Sequence, residues 1–320
     1  MRMLPVALAA MVAVSGGCGS NGSDAAHDAR AGAPGASNDG TGGGGATPVG
    51  ASSSGDADAG APGEPAPPPK VDVTTETVQV GASARTFVLA TPKGYDPART
   101  YPLVLVFHGD GGNGAGMRAA YRFDDHSAAD AFVAYPDGKN AGWDLYTPEA
   151  ENEDDAFVVA IVQDLTARFP VDASRAFGIG YSSGAFFIEQ VACRKSTLFR
   201  GIVPNAGGAP NEPNDANASF WKPYYTRCAN QSGGVAAMIM HGTNDPVVEP
   251  ESGDFSAQYW AYVNGCDDQK ETRTAASPAP CLAHANCPAG KPVLYCPIPN
   301  IGHGWWADSA KSAWAFFQGL

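Results

Sequence analysis

Hydrophobic and polar positions first alternate along this chain and then run together. Residues 74–80 and 84–90 alternate on either side of Gly81-Ala82-Ser83, the pattern of an opening hairpin that shows one face to a core. Leu103-Val104-Leu105-Val106-Phe107 is apolar throughout, as expected of a central strand buried on both faces. Similar short runs at 132–135, 176–179, 201–205, 235–240 and 292–298 predict further strands. Between them, apolar residues at helical spacing predict helices over 117–129, 155–169, 185–192, 255–263 and 309–317. Asp155 is placed at the start of the second, where a carboxylate suits the unpaired N–H groups. Strands alternating with helices predict an α/β fold, a mostly parallel central sheet with helices on both faces. Ligands of such sheets bind beyond the carboxyl ends of the strands. His108, Ser182 and His241 each follow a predicted strand and therefore share that edge.

The N-terminal pattern is different. Arg2 precedes an apolar run over 4–14 that is too short to span a bilayer. Ser15-Gly16-Gly17 then supplies the small residues of a cleavage site, so residues 1–18 are expected to be a signal peptide. The placement of Cys18 resembles a bacterial lipobox, whose cysteine is lipidated, although Ser15 stands where such boxes usually carry Leu or Val. The alternative is an ordinary secretory signal. Residues 19–70 are dominated by Gly, Ala, Ser, Pro and Asp, with Val49 as the one large apolar residue. Such a segment cannot offset the entropy of ordering, which predicts a disordered tether before a folded domain at 71–320.

The chain of 320 residues has a net charge of -13, without the clustered Lys and Arg that nucleic-acid phosphates require. Its seven cysteines lack the paired spacing of a zinc site, and no metal or other cofactor is expected. With Cys18 lipidated, six remain for three disulfides. Cys193 and Cys228 flank the insertion after the third predicted helix and are paired; Cys266, Cys281, Cys287 and Cys296 allow three connectivities.

Gly180-Tyr181-Ser182-Ser183-Gly184 is a G-x-S-x-G pentapeptide between a predicted strand and a predicted helix. There the serine sits on a sharp, strained turn with its hydroxyl exposed. Two partners follow in the chain, Asp245 in His241-Gly242-Thr243-Asn244-Asp245-Pro246 and His303 in Gly302-His303-Gly304-Trp305. Ser, Asp, His is the α/β-hydrolase order. In that chemistry Ser182 attacks an ester carbonyl, His303 takes and returns its proton, and Asp245 orients the imidazole. Asp254, Asp267 and Asp268 are weaker candidates for the acid because none directly follows a predicted strand. The oxyanion is expected to meet the backbone N–H of Ser183 and that of Asp110, with Gly109 as the alternative. His108 and His241 lack a second ligand at metal spacing and are read as supporting residues. Among the loop aromatics, Trp305 and Trp306 adjoin His303 and are the expected substrate contacts.

These motifs, together with Val106-Phe107-His108-Gly109, Val171-Asp172, Tyr259-Trp260 and Asn264-Gly265-Cys266, make residues 71–320 resemble the secreted family of feruloyl esterases and polyhydroxybutyrate-depolymerase-like esterases. Cys281, Cys287 and Cys296 look like its feruloyl-esterase branch, though Trp306 stands where many relatives carry Pro. The resemblance implies an α/β-hydrolase fold, carboxylic-ester hydrolysis and the roles given to Ser182, Asp245 and His303. It also implies a small or oligomeric ester substrate, foremost feruloyl groups on plant polysaccharide fragments, with hydroxyalkanoate oligomers or acetyl esters as alternatives. A non-catalytic surface protein on a hydrolase scaffold is the alternative of another class. The expected location is outside the cell or on its envelope, with the membrane reached only through the lipid anchor.

Overall fold

The computed structural model describes residues 70–212, 219–227 and 234–320. The predicted signal, Cys18 and nearly all of the tether lie outside the described residues. The alternating segments form β1 (Val71–Val80) and β2 (Ser83–Pro92), an antiparallel hairpin in which Gly81 takes the turn at φ 57°. The apolar runs become β3 (Tyr101–Phe107), β4 (Phe132–Pro136), β5 (Val171–Tyr181) and β6 (Gly201–Asn205). A small hairpin of β7 (Phe220–Lys222) and β8 (Tyr225–Thr226) stands apart from the main sheet. The chain then continues through β9 (Ala236–Gly242), the two-residue strands β10 (Thr274–Ala275) and β11 (Leu282–Ala283), and β12 (Val293–Ile298).

The main sheet has ten strands in the order β1-β2-β4-β3-β5-β6-β9-β12-β11-β10. From β4 to β12 all neighbours are parallel, and antiparallel strands extend both edges. The helices are α1 (Gly114–Tyr121), α2 (Phe123–Ser127), α3 (Glu153–Arg168), α4 (Ser183–Arg194), α5 (Pro250–Asn264) and α6 (Ser309–Gln318). Two separate cores show why the central runs are apolar without alternation. Leu103, Leu105 and Phe107 of β3 pack with residues of α3, α4 and α5, while Val104 and Val106 pack with residues of α1, α2 and α6. Each large apolar side chain buried this way contributes about 1.5–3 kcal/mol.

Two local expectations need correction. The single helix expected over 117–129 is broken at Arg122, which takes φ 50°. Tyr121 and Phe123 are both buried and their rings lie nearly parallel. Residues two apart point to opposite sides of a helix, so burying both requires a break between them. The second helix begins earlier than expected, capped by Asn152, whose side chain accepts from the N–H groups of Asp154 and Asp155, each at 3.0 Å. Asp155 turns inward instead and accepts from Arg194 Nη1 at 2.9 Å. Burial pushes its carboxyl up to about 6 against the opposing pull of Arg194.

The four late cysteines pair as Cys266–Cys287 and Cys281–Cys296, which chooses one of the three connectivities. Cys193 is also disulfide-bonded; its expected partner, Cys228, lies outside the described residues.

Candidate active site

Ser182 stands between β5 and α4 at φ 52°, ψ -120°, a conformation that costs a non-glycine residue on the order of 1–3 kcal/mol. The flanking glycines make the turn sterically feasible. A Cβ on Gly180 would lie 2.2 Å from the carbonyl oxygen of Gly184, and one on Gly184 would lie 2.4 Å from that of His108. The turn is held on both sides: Ser182 N–H donates to Asn205 O at 3.0 Å, and Ala185 N–H donates to Ser182 O at 2.8 Å. Ser183 is the first residue of α4, so its N–H has no acceptor within the helix and lies at the positive end of the helix dipole.

Asp245 follows β9 with its side chain fully buried. Its Oδ1 accepts from the N–H groups of Val247 at 2.9 Å and Val248 at 3.0 Å, and its Oδ2 lies 2.8 Å from His303 Nδ1. Burial pushes this carboxyl up, but the Val248 N–H, His303 and the Val247 N–H together outweigh it and hold it below the usual range. An ionised carboxylate only accepts, so His303 Nδ1 carries the proton. In a neutral ring that leaves Nε2 bare. Nε2 lies 2.9 Å from Ser182 Oγ. The structure thus brings the three residues into one line, Asp245 to His303 to Ser182, across 121 positions of sequence between histidine and serine.

The competing aspartates are engaged elsewhere. Asp254 accepts from Arg273, Asp268 from Lys222, and Asp267 from the N–H of Gln269. His108 donates from Nδ1 to Gly109 O at 2.7 Å and accepts the Gly138 N–H on Nε2 at 2.9 Å, so it shapes the loop after β3. A Cβ on Gly109 would lie 3.2 Å from that of Ser182, which places this loop against the serine. Asp110 follows, exposed, on the wall of a cleft of about 390 Å³ that Lys139, Asn140, Trp143 and Glu151 also line. His241 is buried; its Nε2 lies 2.9 Å from Val248 O and 3.4 Å from Asp245 Oδ2, beside the acid. Burial lowers its pKa, keeping it neutral.

Trp305 and Trp306 are half-buried, and Trp305 meets the rings of Tyr181 and Tyr121 edge-on at 4.7 and 5.4 Å. Sequence reasoning passed over two residues here. Tyr181, the variable residue before the serine, donates its hydroxyl to His303 O at 2.9 Å. Glu189 is fully buried on α4 and accepts from Ser256 Oγ at 2.7 Å. Burial pushes its carboxyl up to about 8, with Ser256 and Trp260 pulling the other way. Nothing in the spacing of Tyr181 signalled a partner 122 positions away. Glu189 carried a weak signal, a lone acid in an apolar helix.

No family model matches the chain. It is 28% identical over 190 residues to feruloyl esterase C of Emericella nidulans, a match covering 58% of this chain and 63% of that protein. It is 23% identical over 204 residues to feruloyl esterase D of Neurospora crassa, covering 60% of this chain and 64% of that one. The chain therefore spans a little under two thirds of these relatives' length. Among solved structures, an acetyl xylan esterase from Aspergillus awamori superposes with a TM-score of 0.61 at 17% identity, over 77% of this chain and 100% of that one. The fold is the α/β-hydrolase fold. Within that class the chain's similarity is to the feruloyl esterase-like family.

Proposed function

We propose that this protein is a serine carboxylic-ester hydrolase that works through an acyl-enzyme, with hydroxycinnamoyl esters of the feruloyl type as its substrates. The observation that carries the reading is the unbroken line of contacts from Asp245 through His303 to Ser182, at 2.8 and 2.9 Å, on a strained elbow. In the reaction, Ser182 Oγ attacks the ester carbonyl while His303 Nε2 takes its proton. Buried and ionised Asp245 stabilises the imidazolium that results. The negative charge on the former carbonyl oxygen is met by the N–H groups of Ser183 and Asp110. Collapse expels the alcohol, which receives the proton from His303. Water then repeats the sequence on the acyl-enzyme, activated by the same nitrogen, and frees the acid.

For the acyl group, the half-buried indoles of Trp305 and Trp306 beside His303 offer flat apolar surface suited to a phenolic ring. For the alcohol, Asn140, Lys139 and the carboxylates of the cleft beside Asp110 offer partners for sugar hydroxyls. Two disulfides among the described residues are in keeping with an exported protein. In this reading residues 1–18 direct export, Cys18 carries the lipid and the segment before residue 71 is a tether.

Hydrolysis of methyl ferulate, p-nitrophenyl acetate and hydroxybutyrate oligomers, by wild type and by Ser182→Ala, tests the proposal. Ser182→Ala is expected to lower kcat on the order of 10⁶-fold with an unchanged melting temperature. Undiminished activity in that variant would sink the reading. Hydroxybutyrate oligomers cleaved in preference to methyl ferulate would move the substrate to the alkanoate esters.

A further inference from the structure

Ser182 meets the imidazole of His303, and its elbow neighbour Tyr181 reaches the backbone of the loop carrying that histidine. That loop, between β12 and α6, has no regular structure around His303, and glycines flank it on both sides. Backbone bonds tie its two ends: Asn244 N–H donates to Ile301 O at 3.0 Å, and Ser309 N–H to Trp306 O at 2.9 Å. Its middle is tied by a side chain. The Tyr181 hydroxyl donates to the carbonyl oxygen of His303 itself at 2.9 Å. The Tyr181 ring also lies 5.3 Å from the imidazole ring and meets Trp305 edge-on at 4.7 Å. On its other side, a Cβ on Gly109 would stand 3.0 Å from Tyr181 Cδ1, so the same ring braces the loop after β3.

We infer that Tyr181 is a positioning residue that sets the His303 backbone, and through it Nε2, at the distance from Ser182 Oγ that proton transfer requires. The inference rests on the esterase reading above. Its physical basis is that Asp245 orients the imidazole only by rotation about its side-chain bonds. The height of the ring over the serine is set by the backbone, and the Tyr181 hydroxyl holds that backbone to the elbow. Because Tyr181 and Ser182 are adjacent in the chain, nucleophile and base move as one unit when the loop shifts. A misplacement of about 1 Å can cost on the order of 10²-fold in rate. Burial, then the charge of Asp245, push the Tyr181 phenol up, so it remains a donor across the working range.

Two substitutions test this. Tyr181→Phe keeps the ring against Trp305 and removes the bond; Tyr181→Leu removes both. With methyl ferulate, kcat of Tyr181→Phe is expected to fall about tenfold with KM within about twofold, and Tyr181→Leu to fall about 100-fold. The low-field proton NMR signal of His303 Nδ1–H, identified by its loss in His303→Ala, is expected to shift or broaden in Tyr181→Phe at an unchanged melting temperature. Wild-type kcat with an unmoved signal in Tyr181→Phe overturns the inference, and so does a variant that loses its fold, which would make Tyr181 a core residue. If wild type cleaves no ester, the esterase reading falls separately and the NMR signal alone decides the positioning.

Discussion

Ser182 and His303, the proposed nucleophile and base, are held by opposite means. Ser182 sits in a turn framed by regular backbone: the end of β5, the start of α4, the Asn205 carbonyl at the end of β6, and two glycines packed against backbone oxygens at distances no Cβ tolerates. His303 sits in an irregular loop and is placed by groups remote in the chain, the carboxylate of Asp245 on one ring nitrogen and the hydroxyl of Tyr181 on its carbonyl. The difference teaches where precision is stored. The elbow keeps its strain because the sheet and helix on either side over-determine it. The histidine loop has no such frame, so its precision comes from hydrogen bonds to elements that the fold brings in from elsewhere.

Breaking the remote tie at Asp245 should have the largest effect on this comparison. Asp245→Asn is expected to lower kcat about 10⁴-fold, because an amide does not hold His303 in the tautomer that leaves Nε2 bare, while the melting temperature changes little. A loss of less than tenfold would show that another group orients the ring, and His241, 3.4 Å from the same carboxylate, would be the first to examine.

On the elbow side the damage should instead appear as stability. Gly180→Ala forces a Cβ into the space 2.2 Å from Gly184 O and is expected to cost about 3 kcal/mol in urea unfolding. Full stability in that variant would mean the turn can relax, against the rigid picture.

The helix behind the elbow supplies a pH-dependent test. Glu189 is held protonated by burial, up to about 8, whereas an unfolded glutamate titrates near 4.3. Between these values the unfolded chain binds fewer protons than the fold, so stability falls as pH rises. The contribution is full below about 4.3 and is lost as pH rises through about 8. Melting temperatures measured from about pH 5 to 9 should therefore decline in wild type and decline less in Glu189→Gln. Identical pH slopes would mean Glu189 is ionised in the fold.

The smallest effect is expected at the histidine loop's surface. Trp306→Ala should raise KM for methyl ferulate about fivefold to tenfold and leave that for p-nitrophenyl acetate nearly unchanged, from the loss of aromatic contact. Equal changes for both esters would remove Trp306 from the acyl site and make it a packing residue.

Much of this was legible beforehand, for a local reason. The central strands could be read because a strand covered on both faces must be apolar at every position, as 103–107 are. The elbow could be read because part of its steric demand falls within five residues, a Cβ on Gly180 striking Gly184 O. The break at Arg122 was less legible, since helical spacing over 117–129 looks the same whether or not Tyr121 and Phe123 face different ways. Asn152 lay just outside the expected helix, and the nearby acids drew the cap to the wrong residue.

By itself, then, the sequence determined the alternation of strands and helices, the strained turn at Ser182 and the order in which serine, aspartate and histidine occur. Each follows from short-range sterics or from burial of a periodic face. Only the tertiary structure decided that Cys266 meets Cys287 and Cys281 meets Cys296, that Asp245 rather than Asp254 faces His303, and that Tyr181 reaches the histidine's carbonyl. Those pairings depend on how the strands are ordered in the sheet and how the loops leave it. Spacing along a chain does not encode which residues meet, whether they stand 15 apart, as Cys281 and Cys296 do, or 122 apart, as Tyr181 and His303 do.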